Sequence, residues 1–140
     1  MPNEGITPAF IALVVCDNIY QEPGGKTALV GLFNRITAKS FPYKHARLAV
    51  FVSVTDIRPG TIATLDIVHG ETDETVVEAK GKFPDEVGPI TVVDMNFILN
   101  ELVFPKPGTY FVRFFGGDRP LAMRPFEVEQ EQSKPPRVTQ

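Results

Sequence analysis

From Leu102 to Val128 the chain reads LVFPKPGTYFVRFFGGDRPLAMRPFEV. Tyr110, Val112 and Phe114 alternate there with Phe111, Arg113 and Phe115. A strand points successive side chains to opposite faces, so one face reads Tyr-Val-Phe and the other Phe-Arg-Phe. Gly116, Gly117 and Asp118 supply the positive φ that a tight turn requires. The pattern predicts a β-hairpin that returns through Leu121 to Val128. Pro120 and Pro125 cannot donate to a ladder, which places the return strand at a sheet edge or in a bulge. Pro105, Pro107 and Gly108 end the strand before it and turn the chain.

The same period of two recurs upstream. Phe10 to Tyr20 reads as a first strand, and Gln21 to Gly25 as a turn. Lys26 to Thr37 reads as one strand that pairs back on the first. Gly31 within it marks a bulge or a close backbone approach. Arg47 to Ile57 follows, with Leu48, Val50, Val52 and Val54 on the core face. Thr61 to His69 puts Ala63, Leu65 and Ile67 inward and Thr64 and Asp66 outward. Glu74 to Phe83 is more polar and suits an edge. Ile90 to Leu99 gathers Val93, Met95, Phe97 and Leu99 on one face, and Asn100 to Phe104 leads into the hairpin.

No stretch repeats the i, i+3, i+4, i+7 spacing of an amphipathic helix. Eleven Phe with thirteen Pro and eleven Gly favour strands and turns. The expected fold is therefore all-β. It is a two-sheet antiparallel, immunoglobulin-like sandwich of seven or eight strands without substantial helix, a closed barrel being the alternative. A chain of 140 residues makes one domain. Its expected limits are residues 9–128, after a flexible N-terminus at 1–8 and before a disordered tail at 129–140.

Recognised chemistry is sparse. Cys16, His45 and His69 lie far apart, and zinc sites need such residues clustered. Asp56, Asp73, Asp85, Glu86 and Asp118 read as loop carboxylates without the dense spacing of a calcium site. There is no G-x-S-x-G motif, and Cys16 ends an apolar strand, where a thiol is buried and inert. Gly24-Gly25-Lys26-Thr27 resembles the end of a P-loop, but the upstream glycine at the required spacing is missing. No cofactor is expected.

A net charge of −3 with no basic run argues against nucleic acid and anionic membranes. No segment approaches the apolar length of a membrane span. Ala9 to Cys16 lacks the basic flank and small pre-cysteine residue of a lipoprotein signal, so it reads as a strand. A lone cysteine excludes an internal disulfide and fits a reducing, cytoplasmic setting.

The stretch VVCDNIYQEPGGKTALVGLFNRI followed by Phe41-Pro42 resembles an uncharacterised family of small bacterial proteins, a domain of unknown function. The matching positions are Cys16, Asp17, Gly24, Gly25, Gly31, Phe33, Phe41 and Pro42, and later Phe104, Pro105, Gly108 and Tyr110. The Pro-x-Pro-Gly-x-Tyr corner also resembles the start of a late strand in immunoglobulin-like sandwiches, where the tyrosine bonds backbone a few residues upstream. These resemblances imply a β-sandwich and carry no activity, cofactor or partner.

What remains is aromatic exposure. Phe51, Phe111 and Phe115, with Arg113 between the last two, do not fit one face of a two-layer core. They are the candidate interaction surface, for a homodimer or another protein partner, because contiguous exposed apolar patches mark contacts. The expectation is thus a non-enzymatic sandwich acting through protein contacts. The second reading is a jelly-roll module binding carbohydrate or a small ligand, weakened by the absence of Trp. The third is a hydrolase with its site at one end of the sandwich, for which no nucleophile–base pair is evident.

Overall fold

The computed structural model describes residues 9–88 and 90–132, with side chains from residue 12 onward. The expected flexible N-terminus at 1–8 and most of the expected tail lie outside these residues. Among the described residues there are nine strands and no helix. One sheet contains, in spatial order, β2 (Thr27–Leu32), β1 (Ala9–Gln21), β4 (Tyr43–Thr55) and β7 (Val93–Phe104). The other contains β3 (Arg35–Ala38), β9 (Arg119–Gln130), β8 (Gly108–Gly116), β5 (Ile62–His69) and β6 (Thr75–Lys82).

The core lies between the sheets. Leu48, Val50, Val52 and Val54 project from β4 without solvent exposure and meet Leu65, Ile67, Val112 and Phe114 from β5 and β8. Both sets obey the period of two read from the sequence. Burying side chains of this size contributes roughly 1.5–3 kcal/mol each. Phe83, Phe97 and Phe114 stack edge-on toward one end of the core. Toward the other, Phe104 meets Tyr110 and Phe126 edge-on, and those two rings stack on each other.

Strand β7 departs from strict alternation. Asn100 and Glu101 are both exposed, and Glu101 has φ of 56°. Opposite them, β4 passes from Arg47, paired with Asn100, to His45, paired with Leu102. The ladder keeps its register here, and the two strands exchange faces together, Ala46 and Arg47 being the exposed neighbours on β4. Leu99 is buried before the exchange, Leu102 and Phe104 after it, and Tyr43 packs on the core from β4. The break lengthens β7 through a segment expected only as a connection.

The segment 26–37 is not one strand. Strand β2 pairs with β1 from Gln21–Thr27 to Cys16–Leu32, then the chain crosses to the second sheet. There β3 runs parallel to β9, the one parallel pairing found among the described residues. Gly31 stands just before the crossing with φ of 74°, and a Cβ there would collide with the Asp17 carboxylate. This is the close approach that the glycine signalled, and its backbone conformation breaks the strand. Splitting one expected strand into two accounts for nine strands instead of eight.

The late hairpin forms as expected, with Gly117 at φ 61° in its turn. The ladder slips between Phe114–Ala122 and Phe115–Pro120, leaving Leu121 as the extra residue of a bulge. Strand β3 flanks β9 only from Glu127 to Gln130, so Pro120 and Pro125 lie on the part without an outer neighbour. The expected tail boundary moves: Glu129 and Gln130 pair with Thr37 and Ala38, and Glu131 N donates to Ala38 O. Because β2 leaves β1 at Cys16, the first half of β1 also lacks a neighbour on that side. Arg124 of β9 spans this gap, donating from Nη1 to Leu13 O at 2.9 Å and from Nη2 to Asn34 Oδ1 at 2.7 Å.

A buried histidine ties two turns to the core. His69 Nδ1 accepts from Glu71 N and Thr72 N at 3.2 and 3.3 Å, and Nε2 donates to Pro107 O at 3.2 Å. Gly108 must be glycine here, since a Cβ would lie 2.6 Å from that Nε2. Tyr110 packs edge-on against the imidazole at 4.8 Å and donates its hydroxyl to Lys106 O at 2.5 Å. Removing the imidazole would orphan two donors and one acceptor and leave a cavity. We expect His69→Ala to lower stability by about 3 kcal/mol in equilibrium urea unfolding.

Candidate functional site

The four residues of the expected surface occupy opposite sides of the molecule. Phe111, Arg113 and Phe115 project outward from β8, while Phe51 projects outward from β4 in the other sheet. On the five-stranded side the polar and aromatic groups satisfy one another. Arg113 grips Asp66 with two bonds, Nε to Oδ1 at 2.8 Å and Nη2 to Oδ2 at 2.7 Å. Its guanidinium also lies 5.2 Å from the centre of the Phe115 ring. The carboxylate side chain is 8% exposed and the guanidinium 37%. The bond to Asp66 raises the Arg113 pKa further, outweighing burial, which acts the other way. Asp66 is outward by position, as expected, yet buried beneath Arg113. Phe111 covers Gly70, against which a Cβ would meet its ring at 2.9 Å.

The four-stranded sheet presents a different surface. Its ladders align Leu32, Cys16, Ala49 and Ile98 in one row across all four strands. The next row holds Val14, Phe51 and Asn96. Leu32 is 62% exposed, Val30 49% and Ile98 37%, while Cys16 and Ala49 are fully buried. Ser53 and Asp94 form the row beyond Phe51, joined by a 2.7 Å bond from the hydroxyl to Oδ1. Arg47 and Asn100 pair beyond Ala49. Arg47 and Asp94 are the charged side chains of these rows, one at each end, and neither has an ionic partner among the described residues.

Only Phe51 of this surface was singled out in the sequence. The available signal was the unbroken apolar run from Ala9 to Cys16. A strand apolar on both faces has two surfaces to cover, and the core takes one. Cys16 is fully buried, and its thiol donates to Asn18 O at 3.4 Å. Burial pushes its pKa up, which leaves the thiol protonated and a poor nucleophile.

One end of the sandwich holds a polar cleft of about 320 Å³ beneath the crossing from β2 to β3. Asp17, Arg35, Tyr43 and His45 line it. The face exchange in β4 is what turns Tyr43 and His45 toward it. Tyr43 Oη and His45 Nδ1 share a hydrogen bond of 3.0 Å, whereas His45 Nε2 is buried without a partner. Burial lowers the His45 pKa below 6.5, outweighing the Arg47 carbonyl and the Asp17 charge, which act the other way. Among the described residues, no three His, Cys, Asp or Glu side chains converge as a metal site. No helix there is long and apolar enough to cross a membrane.

The sequence profile of one protein family, the family of unknown function DUF6941, matches residues 11–129. The chain belongs to that family. No curated protein matches it. Several solved structures resemble this DUF6941 member. An immunoglobulin-like protein from Pseudomonas aeruginosa is 10% identical over 90% of this chain and 99% of its own, with a TM-score of 0.45. The C-terminal domain of wzt is 11% identical over 91% of this chain and 75% of its own, with a TM-score of 0.49. A beta-glucosidase from Listeria innocua is 10% identical, and its TM-score is 0.47. That alignment spans 88% of this chain and 16% of the enzyme.

Two stability effects follow from these sites. Arg113→Leu strands the Asp66 carboxylate under apolar cover and should cost about 2–3 kcal/mol. The double variant Asp66→Leu/Arg113→Leu should lose less than the single one, as read by urea unfolding. His45 supplies a pH dependence. Below pH 6.5 the unfolded chain takes up a proton that the folded His45 resists, so stability falls as pH drops toward the lowered folded value. His45→Gln should remove that part of the slope in thermal melts recorded between pH 7 and 5.

Proposed function

We propose that this DUF6941 member works by contact and not by catalysis, and that its working surface is the outer face of the four-stranded sheet. The observation that carries this reading is the row Leu32–Cys16–Ala49–Ile98, apolar across the full width of a sheet and exposed at both ends. Exposed apolar patches with a polar rim mark interaction sites. Phe51, expected as part of the surface, sits in the adjacent row. The opposite outer face supports the reading less well, because Arg113, Asp66 and Phe115 already engage one another there. The inert Cys16 thiol is consistent with a non-catalytic role. So is the position of His69, whose ring nitrogens are occupied by backbone groups.

Site-specific photo-crosslinking in cells tests this. A photoreactive residue at position 98 should give a discrete adduct, and one at position 115, on the other sheet, should not. Adducts from position 115 with none from position 98 would overturn the assignment. Leu32→Glu should abolish the adduct while leaving the melting temperature within about 2 °C, since exposed substitutions usually change stability by less than about 0.5 kcal/mol.

A further inference from the structure

The outer face of the four-stranded sheet is complementary to itself. We propose that its occupant is a second copy of this chain, packed face to face about a two-fold axis that lies in the interface and runs across the strands. This rests on the contact reading above and names the partner.

The argument starts from the order of the rows. Passing along β4, the face shows Asp94 with Ser53, then Phe51 with Val14, then Ala49 with Cys16, then Arg47. A two-fold axis between the second and third rows reverses this order in the second copy. Phe51 and Val14 of one copy then lie over Ala49 and Cys16 of the other. Sheets stacked face to face in this way lie roughly 10 Å apart. The same operation brings Arg47 of each copy beside Asp94 of the other. The two charges at the ends of an otherwise uncharged strip thus find opposite charges twice over. An isologous contact repeats each interaction in this way.

The size of the face fits a modest association. Four strands by seven residues span a plane of roughly 20 by 24 Å. Two copies would cover about 1,000 Å², the lower bound for a specific interface. A dimer with a Kd in the micromolar range is expected, and it should weaken in salt because its charge pairs lie at the rim.

Light scattering and sedimentation on the full chain, from about 10 to 500 μM, read the outcome directly. Wild type should pass from monomer toward dimer. Arg47→Asp and Asp94→Arg should each raise the dimer Kd about tenfold. The Arg47→Asp/Asp94→Arg double variant should return it to near the wild-type value. Melting temperatures would confirm that each variant is folded. A monomer throughout this range overturns the second copy as occupant while leaving the position-98 crosslink to judge the contact reading. A dimer lost in Leu32→Glu yet indifferent to both charge reversals overturns the two-fold arrangement but keeps the face. A dimer that survives Leu32→Glu overturns both.

Discussion

The register of β4 is the constraint on which the sandwich depends. Its four core residues, Leu48 to Val54 at every second position, are fully buried, and both flanking ladders inherit their phase from it. A slip of one residue would carry that set to the outer face. Along the β4–β7 ladder the chain exchanges its faces at Glu101 without any loss of register. There the phase change serves both sides: Leu102 and Phe104 enter the core beyond it, and Tyr43 and His45 turn toward the end cleft. A left-handed φ on a glutamate costs of order 1 kcal/mol, and burial of the two apolar side chains exceeds that.

The all-β fold was legible in the sequence because alternation is a local signal. Leu48 to Val54, Ala63 to Ile67 and Tyr110 to Phe114 alternate without interruption, and all are buried as read. What local pattern could not convey was partnership. Nothing in residues 26–37 states that the second half leaves its neighbour for the other sheet; Gly31 signalled an irregularity, and the identity of its close partner, Asp17, is a tertiary fact. The tail was misjudged at Glu129 and Gln130 for the same reason. These polar residues are held by backbone pairing with β3, which side-chain composition does not report.

The surface was legible only in part. Phe111, Arg113 and Phe115 lie outward as their alternation requires, but sequence gave no sign that Asp66, forty-seven residues away, would take up the arginine. Phe51 stood out in the sequence as an aromatic additional to the core face of its strand, and its neighbours Val14, Ala49 and Ile98 joined it only through the ladders. The polar groups that resemble a site one by one are mostly spent within the fold. His69 fastens two turns, Ser53 and Asp94 hold each other, and Tyr110 closes the corner before β8.

Arg124 has a bearing on what assemblies this molecule can enter. The departure of β2 leaves the early part of β1 and the proline-bearing part of β9 unpaired on the same flank. Two bare edges side by side invite strand addition from other chains, and strand addition propagates without limit. Arg124 occupies a carbonyl of the first edge, and Pro120 and Pro125 deny amide donors to the second. This gap is thereby closed to an incoming strand. At this gap a single arginine and two prolines thus guard against open-ended growth.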